Sequence, residues 1–137
     1  MWLAKQSTLL DLSVPDALLI LRKPTFTLFS ILGTLLPILG VMSFKQAKTT
    51  VDPRDPSKSE HLVITGIYRW TRNPMYLGFL FWLIAWGIYL SDGASLLLAF
   101  LFVPYMNRFQ IHPEERMLKQ FFGRQYEDYC QQVRRWL

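Results

Sequence analysis

The sequence predicts an all-α integral membrane protein with about three to four transmembrane helices, including a helical hairpin, and a C-terminal amphipathic helix. Hydrophobic residues make up 51% of the 137-residue chain, which is more apolar material than a soluble domain of this size normally buries. Uncharged stretches also approach the roughly 20 residues that a helix needs to cross a bilayer. These stretches are Pro24–Phe44, Asn73–Ser91 and Gly93–Asn107.

The basic residues predict how these helices are oriented. Six Lys and Arg residues fall between Lys45 and Arg72 and six from Arg108 onward, whereas the turn Ser91–Gly93 has none. Cytoplasmic loops of membrane proteins carry an excess of Lys and Arg, so both basic segments are expected on the cytoplasmic side. The net charge of +5 therefore indicates membrane topology rather than binding to nucleic acid.

At this length the chain is expected to form a single domain. It divides into N-terminal membrane segments (1–44), a cytoplasmic loop (45–73), a helical hairpin (74–107) and a cytoplasmic tail (108–137). The lone Cys130 excludes an internal disulfide, and with only two histidines in the chain we expect no metal site.

The first predicted membrane helix covers about Thr25–Phe44. Gly33 and Gly40 are seven residues apart and share one face, which would let another helix approach closely. This face also permits helix pairing between chains, but the sequence does not indicate an oligomeric state. Before this helix no cleavable signal pattern is found, and Ala17–Leu21 is predicted to be a short interfacial or re-entrant helix, with a distorted extra spanning segment as the alternative.

The hairpin follows a polar loop that contains two Asp-Pro pairs, which disfavour a helix. The segment "LVITGIYRW" is rich in β-branched residues, and we expect it to be extended along the membrane. The hairpin itself is predicted as Pro74–Leu90, a tight Ser-Asp-Gly turn, and Ala94–Asn107. Pro104 is expected to bend its second arm near the cytoplasmic end.

The tail is predicted to be an amphipathic helix that begins near Pro113, a residue favoured in the first helical turn. Glu114 and Glu115 follow where the helix dipole stabilises negative charge. Apolar residues recur at helical spacing on one face. They are Leu118, Phe121 and Phe122, and after Gly123 they are Tyr126, Tyr129, Cys130, Val133 and Leu137.

Two arginines and a helix start predict an anion site at the mouth of the hairpin. Asn73 and Pro74 are favoured at the N-cap and first positions of a helix, whose free N–H groups attract anions. Arg69 and Arg72 add positive charge beside them. The alternative is that these arginines bind lipid phosphate and that Asn-Pro merely begins the helix.

Aromatic and acidic residues extend this site. Tyr68 and Tyr76 flank the arginines, and the hairpin returns Glu114 and Glu115 to the same side of the membrane. A basic mouth that faces an acidic helix start suits a zwitterionic ligand with a flat ring. The alternatives are an interfacial aromatic belt for the tyrosines and dipole compensation alone for the glutamates.

The motifs "GIYRWTRNPMYLG" and "PEERMLKQFFGRQYEDYCQQVRRW" resemble the isoprenylcysteine carboxyl methyltransferase family and its phospholipid methyltransferase relatives. The family pattern is Gly-x-Tyr, then Arg-His-Pro-x-Tyr-x-Gly, then Glu-Glu-x-x-Leu with Phe-Gly-x-x-Tyr-x-x-Tyr. The match covers about residues 45–137.

The resemblance implies that S-adenosylmethionine is the methyl donor and that it binds on the cytoplasmic side beneath the tail helix. Asn73 stands where the family usually has histidine, and Gln110 stands where eukaryotic members have a substrate-binding arginine, although Arg108 lies nearby. The cofactor-binding positions that the resemblance implies are His61, Leu62, Val63, Tyr68, Asn73, Pro74, Met75, Tyr76 and Glu114.

Methyl transfer to a lipid-like acceptor, drawn sideways from the membrane, is therefore the expected activity. A carboxylate acceptor needs no base and suits a chain with so few histidines. Arg72, Arg108 and Glu115 are expected to be catalytic, and Arg108 and Gln110 to bind substrate. Two alternatives remain: an NADPH-dependent sterol or isoprenoid reductase, to which the C-terminal half is also similar, and a non-enzymatic scaffold that binds lipid headgroups.

Overall fold

The computed structural model describes residues 16–48, 61–91 and 93–137. The two Asp-Pro pairs of the predicted loop, Asp92 of the predicted turn and the chain before residue 16 lie outside this part. Five α-helices follow one another, and no strand occurs in the described ranges. They are α1 (Asp16–Gln46), α2 (Pro74–Leu90), α3 (Gly93–Met106), α4 (His112–Phe122) and α5 (Arg124–Gln132).

The first helix is longer than predicted, because Ala17–Leu21 forms its first turns rather than a separate interfacial helix. The helix continues through Pro24. Arg22 accounts for the continuity: its guanidinium donates to Ser91 Oγ at 3.2 Å and lies 5.9 Å from the centre of the Tyr89 ring. The positive charge thus has partners at the far end of α2.

α1 and α2 pack antiparallel through small residues and proline. A Cβ built on Gly78 would lie 2.5 Å from Pro37 Cδ and 2.9 Å from the carbonyl oxygen of Gly33. At the other end of the contact, a Cβ on Gly40 would lie 3.3 Å from Pro74 Cγ. The glycine face of α1 is therefore occupied by α2 of the same chain, which fixes the start of α2 beside the end of α1.

Two stretches of helix are long and apolar enough to cross a membrane. They are Ile20–Gln46 and Gly93–Phe122, of 27 and 30 residues, and the apolar α2 is shorter at 17 residues. Large hydrophobic side chains point outward from α1, α2 and α3, as lipid contact would require. Examples are Leu28, Ile31, Phe79, Trp86, Leu98 and Phe100.

The connection from α3 to α4 is a π-helical turn, Asn107–Ile111, so the chain stays helical from Gly93 to Phe122. Such turns are rare and often lie at functional sites. The helical tail breaks at Gly123, whose φ of +51° is left-handed, so it forms the two helices α4 and α5 instead of one.

The buried core lies at the end of the helices where α1 ends and α2 begins. Tyr68 is buried there against Tyr126 and Tyr129, and the Tyr129 hydroxyl donates to the Tyr68 carbonyl oxygen at 2.7 Å. Leu62–Ile64 is non-helical as expected, but Gly66–Arg69 forms a 3₁₀ turn rather than extended chain. The difference arises at Gly66, whose φ of +63° turns the chain where β-branched composition alone suggests continuation.

Candidate active site

The two ends of the α2–α3 hairpin meet through Glu114. The Tyr76 hydroxyl, in the first turn of α2, donates to Glu114 Oε1 at 2.6 Å. Gln110 Nε2, one turn before Glu114, donates to the same oxygen at 2.6 Å. Glu114 Oε2 makes no hydrogen bond to any residue in the described ranges, so within them only one of the two carboxylate oxygens is held.

Glu115 is held between two arginines. Arg135 donates to it through Nε to Oε1 at 3.0 Å and through a terminal nitrogen to Oε2 at 2.7 Å, which is a two-bond fork. A terminal nitrogen of Arg72 also lies 3.1 Å from Oε1. The side chains of Arg72, Glu115 and Arg135 are 12%, 19% and 31% exposed, so this ion-pair network is largely screened from water.

Arg72 is thus not the free cation that the sequence suggested, because Glu115 of this chain already contacts it. Its charge is only partly used, since the buried Nε has no hydrogen-bond partner among the described residues. The other arginine of the predicted anion site, Arg69, is exposed and lies outside the ion-pair network. Arg108, predicted to be catalytic and substrate-binding, is exposed on the π-helical turn.

Asn73 occupies the residue before α2 as predicted, but its side chain does not cap the helix. Its Nδ2 donates instead to the Arg135 carbonyl oxygen at 2.9 Å. Asn73 has φ −130° and ψ 59°, and its own carbonyl oxygen accepts from Leu77 N at 2.9 Å, so the first helical bond forms normally. Pro74 is in the first turn of α2 and buried.

Residues 134–136 cross the segment just before α2 and hold it by hydrogen bonds. The Arg134 and Arg135 carbonyl oxygens accept from Arg72 N at 3.1 Å and from Thr71 Oγ1 at 3.3 Å, respectively. Trp136 Nε1 donates to Asn107 Oδ1 at 3.1 Å, which adds a bond to the end of the hairpin. These residues did not stand out in the sequence, where "RRW" reads as the polar end of a helix and nothing indicates that it pairs with Glu115.

The remaining predicted cofactor positions form the wall behind α2. Tyr68 and Met75 converge with Pro74 on Gly40, where an added Cβ would lie 3.6 Å from Tyr68 Oη and from Met75 Cγ. Val63 is buried beside Tyr68, whereas His61 is exposed. Burial raises the pKa of the Tyr68 phenol above its ordinary value. This side chain therefore stays neutral around pH 7.

An open cleft of about 680 Å³ runs between the 3₁₀ turn and α5. It borders the buried core without including Val63 or Tyr68 among its lining residues. Arg69 and Asp128 place opposite charges on its polar rim. Its lining is Ile64, Thr65, Gly66, Arg69, Gln125, Asp128, Tyr129, Gln132 and Val133.

Comparison with known proteins places these residues in a family. Residues 25–125 match the family model of the phospholipid methyltransferases. A probable protein-S-isoprenylcysteine O-methyltransferase from Oryza sativa subsp. indica is 33% identical over 125 residues, covering 86% of this chain and 65% of that protein. The protein-S-isoprenylcysteine O-methyltransferase of Saccharomyces cerevisiae is 34% identical over 116 residues, covering 77% and 47%.

A reductase matches as well. A delta(14)-sterol reductase from Mus musculus is 30% identical over 122 residues, covering 76% of this chain and 29% of the reductase. The chain spans about two thirds of the length of the Oryza methyltransferase and about half of the Saccharomyces one. The family model covers most of the chain, so the chain belongs to the phospholipid methyltransferase family, which confirms its resemblance to the isoprenylcysteine carboxyl methyltransferases.

Proposed function

We propose that this protein is a membrane methyltransferase that uses S-adenosylmethionine and acts on a lipid-like acceptor, most simply a carboxylate such as that of an isoprenylcysteine. The observation that carries the proposal is the meeting of Tyr76 with Glu114 and of Arg72 with Glu115. These contacts bring both family motifs, which are separated by the hairpin, to a single place. We further propose that α2 spans the bilayer as a third helix and that this site faces the cytoplasm.

The donor groups fit the amino-acid part of S-adenosylmethionine, which carries an ammonium and a carboxylate. Glu114 has one carboxylate oxygen, Oε2, that accepts no hydrogen bond from the described part of the chain. This oxygen suits the ammonium or the ribose hydroxyls of the donor. Arg72 has a buried guanidinium N–H without a partner among the described residues, which suits a carboxylate.

When bound, S-adenosylmethionine supplies a methyl group activated by its sulfonium centre. The task of the chain is to orient the acceptor in line with that methyl group and to exclude water. Arg72 and Arg108 are the cations proposed to orient an acceptor carboxylate, with Gln110 lining the approach from the membrane side. Arg108 is exposed on the π-helical turn that joins α3 and α4.

The protonation states favour an acceptor that is already ionised. An amine or a thiol would have to give up a proton to a base before it attacks, whereas a carboxylate does not. Burial raises the pKa of Tyr68 and Tyr129, so both remain neutral phenols. Both oxygens of Glu115 accept bonds from Arg135, so this carboxylate is engaged in the ion-pair network.

Calorimetric titration of the detergent-solubilised protein with S-adenosylhomocysteine and with NADPH tests the proposal. Binding of the first alone supports methyl transfer. Binding of NADPH alone would favour the reductase reading, for which the similarity to the mouse sterol reductase is the argument. Binding of neither would leave a lipid-binding scaffold.

Turnover is measured with an isotopically labelled methyl donor and S-farnesylcysteine, followed by mass spectrometry of membrane lipid extracts to identify other acceptors. We expect Arg72→Ala and Glu114→Ala each to abolish transfer. Matched controls are Arg116→Ala and Glu127→Ala, which remove charges from exposed positions. Full activity of either site variant in purified form would contradict the proposed site.

A further inference from the structure

Two groups of opposite net charge lie at the start of α2, which we call the mouth of α2. Arg72, Glu115 and Arg135 form one network of two guanidinium groups and one carboxylate, so it keeps one net positive charge. Arg135 makes two bonds to Glu115 and Arg72 makes one contact. The neighbouring Glu114 accepts only from the neutral donors Tyr76 and Gln110 among the described residues. A net cation and a net anion therefore lie side by side.

We propose that Arg135 is a positioning residue that keeps the mouth of α2 cationic, because it neutralises Glu115 and so leaves the charge of Arg72 to the carboxylate of a bound ligand. The inference rests on the proposed methyl transfer. It extends the site to Arg135, to which the family resemblance assigned no role. The carboxylate could belong to the amino-acid group of the donor or to the acceptor.

Without Arg135 the same site would hold one cation and one anion. Arg72 and Glu115 would then pair with each other, and in a largely buried pair each charge is satisfied by its partner. The network of Arg72 and Glu115 would then be neutral instead of net positive, and with Glu114 counted the whole site would change from neutral to net negative, which repels a carboxylate. Arg135 binds both carboxylate oxygens of Glu115, because the planar guanidinium group presents two parallel N–H donors.

Arg135 also holds the backbone at this place. Its carbonyl oxygen accepts from Asn73 Nδ2 at 2.9 Å and from Thr71 Oγ1 at 3.3 Å. These bonds use the main chain and survive substitution of the side chain. A side-chain variant therefore tests the charge with little change to the crossing of residues 134–136 over the start of α2.

The test compares two ligands by calorimetry, at a temperature where circular dichroism shows every variant folded. S-Adenosylhomocysteine carries the amino-acid group, and 5′-methylthioadenosine has the same nucleoside and thioether without it. The variants are Arg135→Gln, Arg135→Lys and the double variant Glu115→Gln/Arg135→Gln. Arg134→Gln is the matched control, because its side chain is exposed and only its carbonyl oxygen takes part in the site.

If the donor supplies the carboxylate, Arg135→Gln weakens S-adenosylhomocysteine by about tenfold, the size of one charge-assisted bond, and leaves methylthioadenosine unchanged. The double variant recovers most of that loss, because removal of the Glu115 carboxylate leaves Arg72 without its charged partner. Arg135→Lys keeps the charge but loses the two-bond fork, so it should bind S-adenosylhomocysteine more tightly than Arg135→Gln and less tightly than the unsubstituted protein. If the acceptor supplies the carboxylate, the same pattern appears in the KM for S-farnesylcysteine, with kcat unchanged in Arg135→Gln.

A purely structural role gives different results. If the double variant binds as weakly as Arg135→Gln, or if Arg135→Lys binds as weakly as Arg135→Gln, charge balance is not what Arg135 provides and the inference is overturned. Unchanged donor affinity together with unchanged acceptor KM in Arg135→Gln overturns it too. If the unsubstituted protein binds neither nucleoside, the proposed function itself fails, and this result is distinct from the others.

Discussion

Replacement of Gly78 by alanine should separate α1 from α2. The added Cβ would lie 2.5 and 2.6 Å from two carbons of the Pro37 ring and 2.9 Å from the Gly33 carbonyl oxygen. Carbon atoms normally pack at about 3.5–4.0 Å, so the helices must move apart by about 1 Å. Neither the proline ring nor the backbone can rotate away. Overpacking of this kind costs about 1–3 kcal/mol, against a gain of at most about 1 kcal/mol in helix propensity.

Because a 2.5 Å contact with a rigid ring lies at the upper end of this cost, we expect Gly78→Ala to lower the free energy of unfolding by about 2 kcal/mol. The assay is reversible unfolding in mixed micelles with increasing sodium dodecyl sulfate, followed by circular dichroism. Gly40→Ala is the matched control on the same interface, because its nearest contacts would be 3.3, 3.6 and 3.6 Å, close to ordinary packing. Equal stability of Gly78→Ala and the unsubstituted protein, or an equal loss in Gly40→Ala, would refute the packing argument.

Three further predictions concern the core beside the site. Tyr129→Phe removes the buried hydroxyl that donates to the Tyr68 carbonyl oxygen and should cost about 1–2 kcal/mol in unfolding free energy, with an unchanged value as the contrary result. Gly66→Ala should lower the free energy of unfolding by about 1–2 kcal/mol, because φ there is +63° and the new Cβ would collide with Ser43 Oγ. Combining it with Ser43→Ala should restore part of this stability. No restoration would show that backbone strain alone is responsible. Burial raises the pKa of Tyr68, Tyr126 and Tyr129, so these phenols hold their protons more tightly in the folded protein than in the unfolded chain. Their contribution to stability should therefore be constant below about pH 10 and fall above it. A denaturation series across pH 8–11 that showed no fall would contradict this.

The helices were largely predictable because lipid-facing segments have a simple pattern. The bounds of α2 are the predicted Pro74–Leu90, set by Pro74 at one end and the polar turn at the other. The start of α1 was wrong, because the sequence does not reveal that Arg22 has partners at Ser91 and Tyr89. Local charge alone cannot distinguish a helix end from a helix that places its charge against a neighbour.

The candidate site was predictable where motifs supply its residues and not where distant segments meet. Tyr76 and Glu114 were both selected, although only the structure shows that they share a hydrogen bond. The side-chain role of Asn73 was wrong: a helix cap is a local preference, and here a carbonyl oxygen 62 residues away competes for the same amide. Arg135 was missed because ion pairing across 20 residues leaves no periodic signal.

The π-helical turn at Asn107–Ile111 has a consequence for how this site tolerates insertions and deletions. One extra residue in a turn rotates everything after it by about 100° relative to a regular helix. The direction in which the paired acids of α4 point is thus set by the number of residues between Met106 and His112. Deletion of a single residue there would move the carboxylates of Glu114 and Glu115 away from their partners, although every side chain of the two motifs would still be present.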